Sequence, residues 1–325
     1  MLLHHLHKLA EEEHGFPLRD CAIAVPLSYD ASQRQAVLDA AEIAGLKCQR
    51  LVLDGVAVAV DYAVTRRDLP TQSDRVVAFV DVGQSGIQVY LMKIRKASVE
   101  LVAHGYELGV GGTVGNHSGQ LICSSHMQTA ARILRCLHAL VLADTLTSPM
   151  GGCHLYFVFV KQACEKARRV LSANAEAQVT VDCLVGDTDV SASVTRTDFE
   201  ALAQPLLERM DQCCREVVSH ASLPSVDAVE LVGGCSRMPS LIETLHRCFG
   251  VKPSRTINAE ESVARGAAFV AALHSKTLRM VPLCVSNFCP FSLFLDILSA
   301  LPHSSGYGTP SKRLFDPVGF GVSRC

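Results

Sequence analysis

Apolar and polar positions along this chain alternate between a strand rhythm and a helix rhythm. Residues 21–27, "CAIAVPL", form an apolar run of strand length. From Asp30 to Gly45, "DASQRQAVLDAAEIAG" repeats its apolar residues at helical spacing between a capping aspartate and a stopping glycine. "QRLVLDG" predicts another strand and "VAVAVDYAV" a further helix. A polar break from Pro70 to Asp74 follows. Beyond it "RVVAFVDVGQSGIQVYLMKI" and "SVELVAHGYEL" predict a meander of three strands. Residues 161–172, "KQACEKARRVLS", predict an amphipathic helix, and "AQVTVDCLV" and "TDVSASVTR" two alternating strands. Thr197 with Glu200 offers a capping box for a helix reaching His220 and kinked at Pro205. Then "VDAVELVGGCSRMPS" runs from strand through a glycine turn into a helix, and "NAEESVARGAAFVAAL" predicts a closing helix. The polar break marks a boundary between two α/β lobes.

Composition narrows what such a chain does. At 325 residues, 49% of them hydrophobic, it has the length of about two domains and a large core. A net charge of -2 with interspersed signs leaves no basic block to neutralise a phosphate backbone, which argues against nucleic acid as a partner. The 14 cysteines contain no C-x-x-C pair and mostly lie singly in apolar stretches, such as "RDCAIAV", "LKCQRLV" and "VDCLVG". With no secretory pattern in "MLLHHLHKLAEEEHG", they predict buried thiols in a reducing cytoplasm. His4, His5 and His7 are either zinc ligands or, more simply, one polar stripe of a terminal helix. The most apolar stretch, "FCPFSLFLDILSAL", is interrupted by Pro290 and Asp296 and falls short of the roughly eighteen residues of a spanning helix, so no membrane segment is expected.

Two strand-to-glycine turns carry the candidate chemistry. "DVGQSG", from Asp81 to Gly86, places an acid at the end of a strand and then several backbone N–H groups where an anion can sit. "LVGGCSR", from Leu231 to Arg237, presents bare backbone to a flat ligand with an arginine beside it. Each turn alone is also ordinary turn chemistry. Their conjunction with Asp81 points to a site.

In order along the chain, "CAIAVPLSYDASQRQAVLDAAEIAGL", "FVDVGQSGIQVY", "ACEKARRVLSAN", "VELVGGCSRMP" and "NAEESVARGAA" resemble the nucleotide-binding domain of the seventy-kilodalton heat-shock chaperones. The "DVGQS" turn, "LSAN" and "NAEESVARG" are closer to the large heat-shock branch, whose members are nucleotide-exchange factors and holdases. The resemblance implies the actin-like ATPase fold, two α/β lobes with ATP or ADP and Mg2+ between them. It implies a partial first lobe over residues 1–73, a second lobe over 74–275 with a divergent stretch at 113–158, and a divergent tail at 276–325. By motif, Asp81 is implied as the catalytic residue and metal contact near the phosphates, and Gly83, Gln84 and Ser85 as the second phosphate loop. Glu165, Arg168 and Ser172 are implied to face ribose and adenine, with Gly233, Gly234, Cys235 and Arg237 as the opposite wall. Without the resemblance, Glu165 and Arg168 read as an exposed i,i+3 pair. Pro26 and Arg34 match residues that relay nucleotide state in the family; an arginine on a solvated helix face is the simpler account.

The departures from the family bear on activity. The first lobe is expected to be incomplete, lacking the family's leading phosphate loop and a positioning lysine. Leu53-Asp54 stands where the family has Asn-Glu, and no Phe-Asp follows Gly111-Gly112. Residues 113–158 and 288–325 carry none of the family's motifs, and no peptide-binding β-domain is visible. Weak or partial nucleotide binding and impaired hydrolysis are therefore expected, in a chaperone or co-chaperone partnering a smaller heat-shock chaperone and, less definably, unfolded clients. A non-catalytic protein that binds another chaperone, and a sugar-kinase-like member of the same superfold, remain as alternatives.

Overall fold

The computed structural model describes residues 1–83, 85–110, 162–163, 165–185, 188–274 and 283–286. Helix α1 (Leu2–His14) ends at Gly15, whose φ of 71° is the left-handed conformation of a helix stop. Strand β1 (Asp20–Val25) and strand β2 (Lys47–Leu53) pair in parallel. The crossover between them is helix α2 (Ala31–Ile43). Its start is fixed by a full capping box: the Asp30 carboxylate accepts from Gln33 N at 2.7 Å, and the Gln33 side chain accepts from Asp30 N at 3.0 Å.

Helix α3 (Asp54–Thr65) follows β2 without a loop, so Asp54 and Gly55 open a helix rather than close a strand. Every residue from Gly55 to Ala63 is buried, the pattern of a helix covered on all sides. Strand β3 (Arg75–Val82), strand β4 (Gly86–Arg95) and strand β5 (Ser98–Leu108) form the expected antiparallel meander. After a helical segment at 165–171, strand β6 (Glu176–Val185) and strand β7 (Thr188–Thr195) make a separate hairpin.

Helix α4 (Arg196–Ala221) runs 26 residues, continuing through Pro205. Its N-cap is Thr195, whose hydroxyl accepts from Asp198 N, in place of the capping box expected two residues later. The sequence "TRTDFE" contains two overlapping caps; the extended Thr195 (φ -87°, ψ 157°) ends β7 and leaves Thr197 already inside the helix. Strand β8 (Ala228–Val232) pairs in parallel with β3 and leads through a turn to helix α5 (Pro239–Phe249). Helix α6 (Ser262–His274) and strand β9 (Cys284–Ser286) complete the described residues, with the sheet ordered β8-β3-β4-β5-β9.

That sheet is buried on both faces. Val76, Ala78, Val80 and Val82 of β3 enter one core with Ile87, Val89, Leu91 and residues of α4 and α5. Val77 and Phe79 enter a second core with Tyr90, Met92, Ile94 and most of α3. The two-residue period thus feeds two hydrophobic cores from one strand. On the second side, α3 lies so close to α6 that a Cβ at Gly266 would overlap the Ala57 carbonyl. The helices are further tied by an ion pair from Arg265 Nε to Asp61 Oδ1 at 3.2 Å. The parallel β8–β3 pair, flanked by the β3–β4 hairpin, brings both glycine turns to one end of the sheet.

Candidate functional site

Asp81 stands at that end, at the last but one position of β3. Its neighbour Val82 accepts from Cys235 N at 3.1 Å, which joins the turn after β8 to the end of β3. Gly233 holds φ 87°, and a Cβ there would run into Asp81 Oδ1 and the Val82 carbonyl. Both the backbone conformation and the approach therefore demand glycine. Gly83 also borders it: its Cβ position lies 3.9 Å from the same oxygen, Asp81 Oδ1. Asp81 is thus in contact with both glycine turns that the sequence pairs with it.

The turns use some of their own donors. Gly83 N donates to Gly86 O at 3.1 Å and Gly109 N to Ser85 O at 2.9 Å, closing the hairpin on itself. An anion in this turn has fewer open N–H groups than the glycine pattern alone implies. Gln84 lies outside the described residues.

Burial is the main reason that the Asp81 carboxyl is pushed up to about 6, with the neighbouring Asp54 adding repulsion. Asp54, the first residue of α3, is pushed up as well by burial, an effect eased by a hydrogen bond from Gln88 Nε2 at 3.4 Å. Gln88 is opposite Asp81 in the β3–β4 register and connects three elements. Its Oε1 accepts from Leu27 N at 2.6 Å, after β1, and from the Tyr90 hydroxyl at 2.9 Å. Asp54, Gln88 and Tyr90 are absent from the motif-based set. The antiparallel register of "DVGQSGIQ" is the one signal that could have placed Gln88 beside Asp81.

The helical segment 165–171 contributes Glu165 and Arg168. Their pair is bidentate, with Arg168 Nε to Glu165 Oε2 at 2.9 Å and Nη2 to Oε1 at 2.7 Å. It is not the exposed pair of a solvated face, because the Arg168 side chain is only 8% exposed. Arg168 lines a small, mainly apolar cavity with Val82, Cys235, Leu207 and Met210. Cys235 lies within electrostatic reach of Arg168, Glu165 and Asp81, and its burial pushes the thiol up.

Other expected residues are less engaged. Ser172 donates its hydroxyl to Arg169 O at 2.7 Å, back into its own helix. Gly234 borders open space, and Arg237 is exposed beside Arg255. Arg169, one turn after Glu165, reaches its Oε1 at 3.2 Å while remaining 76% exposed. Arg34 is buried rather than solvated, and its Nε donates to Tyr29 O at 2.9 Å. That bond ties α2 to the loop containing Pro26. Among the described residues no group of three His, Cys, Asp or Glu side chains is arranged to hold a metal, the amino-terminal histidines included. Among them, too, no helix is long and apolar enough to cross a membrane.

Comparison with known proteins places this geometry in a family. The Hsp70 protein family model matches residues 1–129 and 155–303. The match takes in 113–129 and 288–303, beyond the blocks in which motifs are legible. A heat shock protein homolog of Lachancea kluyveri is 34% identical over 97% of this chain and 45% of its own length. Heat shock 70 kDa protein 16 of Arabidopsis thaliana is 34% identical over 98% of this chain and 40% of its own. The 97 kDa heat shock protein of Mesocentrotus franciscanus is 32% identical over 91% and 32% respectively. The chain belongs to the Hsp70 family, as a domain similar to those of its large, 110-kDa-like branch. Its mixed α/β architecture is consistent with the family's actin-like nucleotide-binding fold. It spans less than half the length of these three relatives.

Proposed function

We propose that this chain is an adenine-nucleotide-binding chaperone or co-chaperone domain of the nucleotide-exchange-factor type, acting beside a smaller Hsp70 in the cytoplasm. The observation that carries the reading is the contact of Asp81 with both Gly83 and Gly233, at the end of a strand shared by two cores. A half-buried carboxylate in contact with two glycine turns is poorly explained by stability alone, since withdrawing that charge from water is costly. Residues 1–73 and 74–275 are read as parts of two lobes, with residues 276–325 as a tail.

Two half-buried carboxylates that repel each other have the chemistry of a hard-cation contact, and Asp54 and Asp81 fit Mg2+ on that ground. When bound, Mg2+ supplies charge neutralisation for phosphate oxygens. The chain's own residues orient: Gln88 holds Asp54, and the Gly83 and Gly233 turns fix Asp81. Ser85 belongs to the phosphate side with Gly83 and Gln84. Glu165, Arg168 and Ser172 face Gly234, Cys235 and Arg237 across the adenosine side. Arg168 and Glu165 satisfy each other, so they wall the nucleoside rather than clamp phosphate. Binding is accordingly dominated by the nucleoside half, with ADP competing about as well as ATP.

The test is fluorescent-nucleotide displacement on the purified chain at fixed Mg2+, beside capture of a purified smaller Hsp70. Expected are comparable displacement by ADP and ATP, loss with Asp81→Arg, and capture of the chaperone. A strong preference for triphosphate overturns the nucleoside-dominated reading. Absence of both binding and capture overturns the function.

A further inference from the structure

Helix α1 presents a second surface, away from the candidate site. Its half-buried residues, Leu3, His7, Ala10 and Glu11, face the rest of the chain. There the His7 ring nitrogens bond the Ala44 and Leu18 carbonyls, and the Glu11 carboxylate accepts from Leu18 N at 3.0 Å. Leu2, Leu6 and Leu9, spaced i, i+4 and i+7, form a line on the other side of the helix and are 71%, 50% and 47% exposed. Among the described residues none covers this line. A helix of 13 residues draws most of its stability from what its apolar face packs on, and here that face is open. We infer that the leucine line of α1 is covered by α1 of a second copy of this chain, the two helices running antiparallel about a two-fold axis.

The charges on α1 identify the occupant. Its amino-terminal half carries His4, His5, His7 and Lys8 and no acid, whereas its last turn carries Glu11, Glu12 and Glu13 beside His14. A helix dipole favours the reverse order, acids at the amino end and cations at the carboxyl end. The arrangement therefore works against the helix alone and suits a second copy running the other way, in which the two halves are exchanged.

The spacing makes the match specific. His5 and Glu12, seven residues apart and both exposed, share a line that flanks the leucines. In an antiparallel pair such lines face each other, so His5 of each copy meets Glu12 of the other, while Leu6 of each packs on Leu9 of the other. A parallel pair instead sets Glu13 against Glu13, because Glu13 continues the leucine line one turn beyond Leu9. Within one helix Lys8 Nζ stands 3.8 Å from Glu12 Oε1 with both side chains exposed, a pair too weak to hold Glu12 from its partner. The contact is isologous and closes on itself, which limits the assembly to a dimer, and its small size makes that dimer weak and reversible.

The experiment is sedimentation equilibrium of the purified chain over a range of concentrations, in dithiothreitol to exclude disulfide-linked species. A reversible monomer–dimer equilibrium is expected, with Leu6→Asp leaving only monomer. His5→Glu and Glu12→Lys are each expected to weaken the dimer by on the order of tenfold, through like charges set against each other, and the double variant to restore it. Both single changes put the new charge at the helix end whose dipole favours it, so their loss of dimer does not come from a melted α1. A wild-type chain that stays monomeric overturns the inference, and resistance of α1 to protease in that monomer would assign the leucines to cover by the same chain. A dimer unaffected by Leu6→Asp, a double variant that fails to restore pairing, or open-ended growth in place of a dimer overturns it equally. None of these readouts depends on nucleotide or chaperone binding.

Discussion

At the scale of single residues, Asp81 concentrates the tension in this molecule. A carboxyl whose folded value is raised to about 6 binds its proton more tightly folded than unfolded. Its ionisation therefore weakens the fold progressively as pH rises from about 4 through about 6, and the penalty is fully present above that. For this half-buried group, a rise from the ordinary carboxylate range to about 6 corresponds to a penalty on the order of 2 to 3 kcal/mol. Asp81→Asn removes the charge at nearly constant shape. The variant is expected to unfold at higher temperature than the wild type at pH 7.5, with the advantage vanishing near pH 4. Equal melting temperatures at pH 7.5 would refute the assignment of strain to this carboxylate. The cost is explicable if the charge serves a ligand, which connects this measurement to the proposed nucleotide site.

At the scale of elements, the junctions obey short-range physics. Thr195→Ala is expected to lower stability by about 1 kcal/mol through loss of the α4 cap, whereas Thr197→Ala changes it little; the reverse order in denaturant melts would restore the alternative cap. Helix α1 has no buried residue and is tied to the chain that follows by His7 and Glu11. Both His7 ring nitrogens face backbone carbonyls, Ala44 O at 3.1 Å and Leu18 O at 2.5 Å, with Glu11 Oε1 at 3.2 Å. Two acceptors require two donors, so the imidazolium is the bound form, and the Ala44 and Leu18 carbonyls raise its pKa above the ordinary value. Its contribution is present below pH 6.5 and is lost as pH rises through the raised folded value. An NMR titration of His7 at or below 6.5, or protease cleavage of α1 that does not increase with pH, would contradict this. These details also mark what the sequence could tell. The capping box at Asp30, the meander and the Gly83 and Gly233 turns are local patterns, and residue order alone made them legible. The Asp54–Gln88–Leu27 network, the burial of Arg34 and the inward turn of Arg168 depend on strand register and on which helix covers which face. These are contacts between distant residues that local periodicity does not encode.

At the scale of the whole molecule, β3 decides whether the two cores act as one. Its residues alternate into opposite cores, and it carries Asp81 at their common end. Phe79 is 1% exposed and stands edge-on to Tyr62 of α3 at a centroid distance of 5.5 Å, entirely within the second core. Truncating it leaves a cavity on that side, at a cost of about 3 to 5 kcal/mol. If the cores were independent, the loss would be confined to α3 and its neighbours. A strand cannot keep one face ordered while the other dissolves, because both faces share the same backbone hydrogen bonds to β4 and β8. Phe79→Ala is therefore expected to lower the stability of both cores together. Hydrogen exchange followed by mass spectrometry should show α3, on the mutated side, and α4, on the other, losing protection by the same free energy. Protection lost in α3 and retained in α4 would mean that the cores unfold separately. The distinction reaches the proposed function, because a carboxylate at the seam of one cooperative unit can report ligand binding to both sides, whereas one at the edge of two independent units reports only to its own.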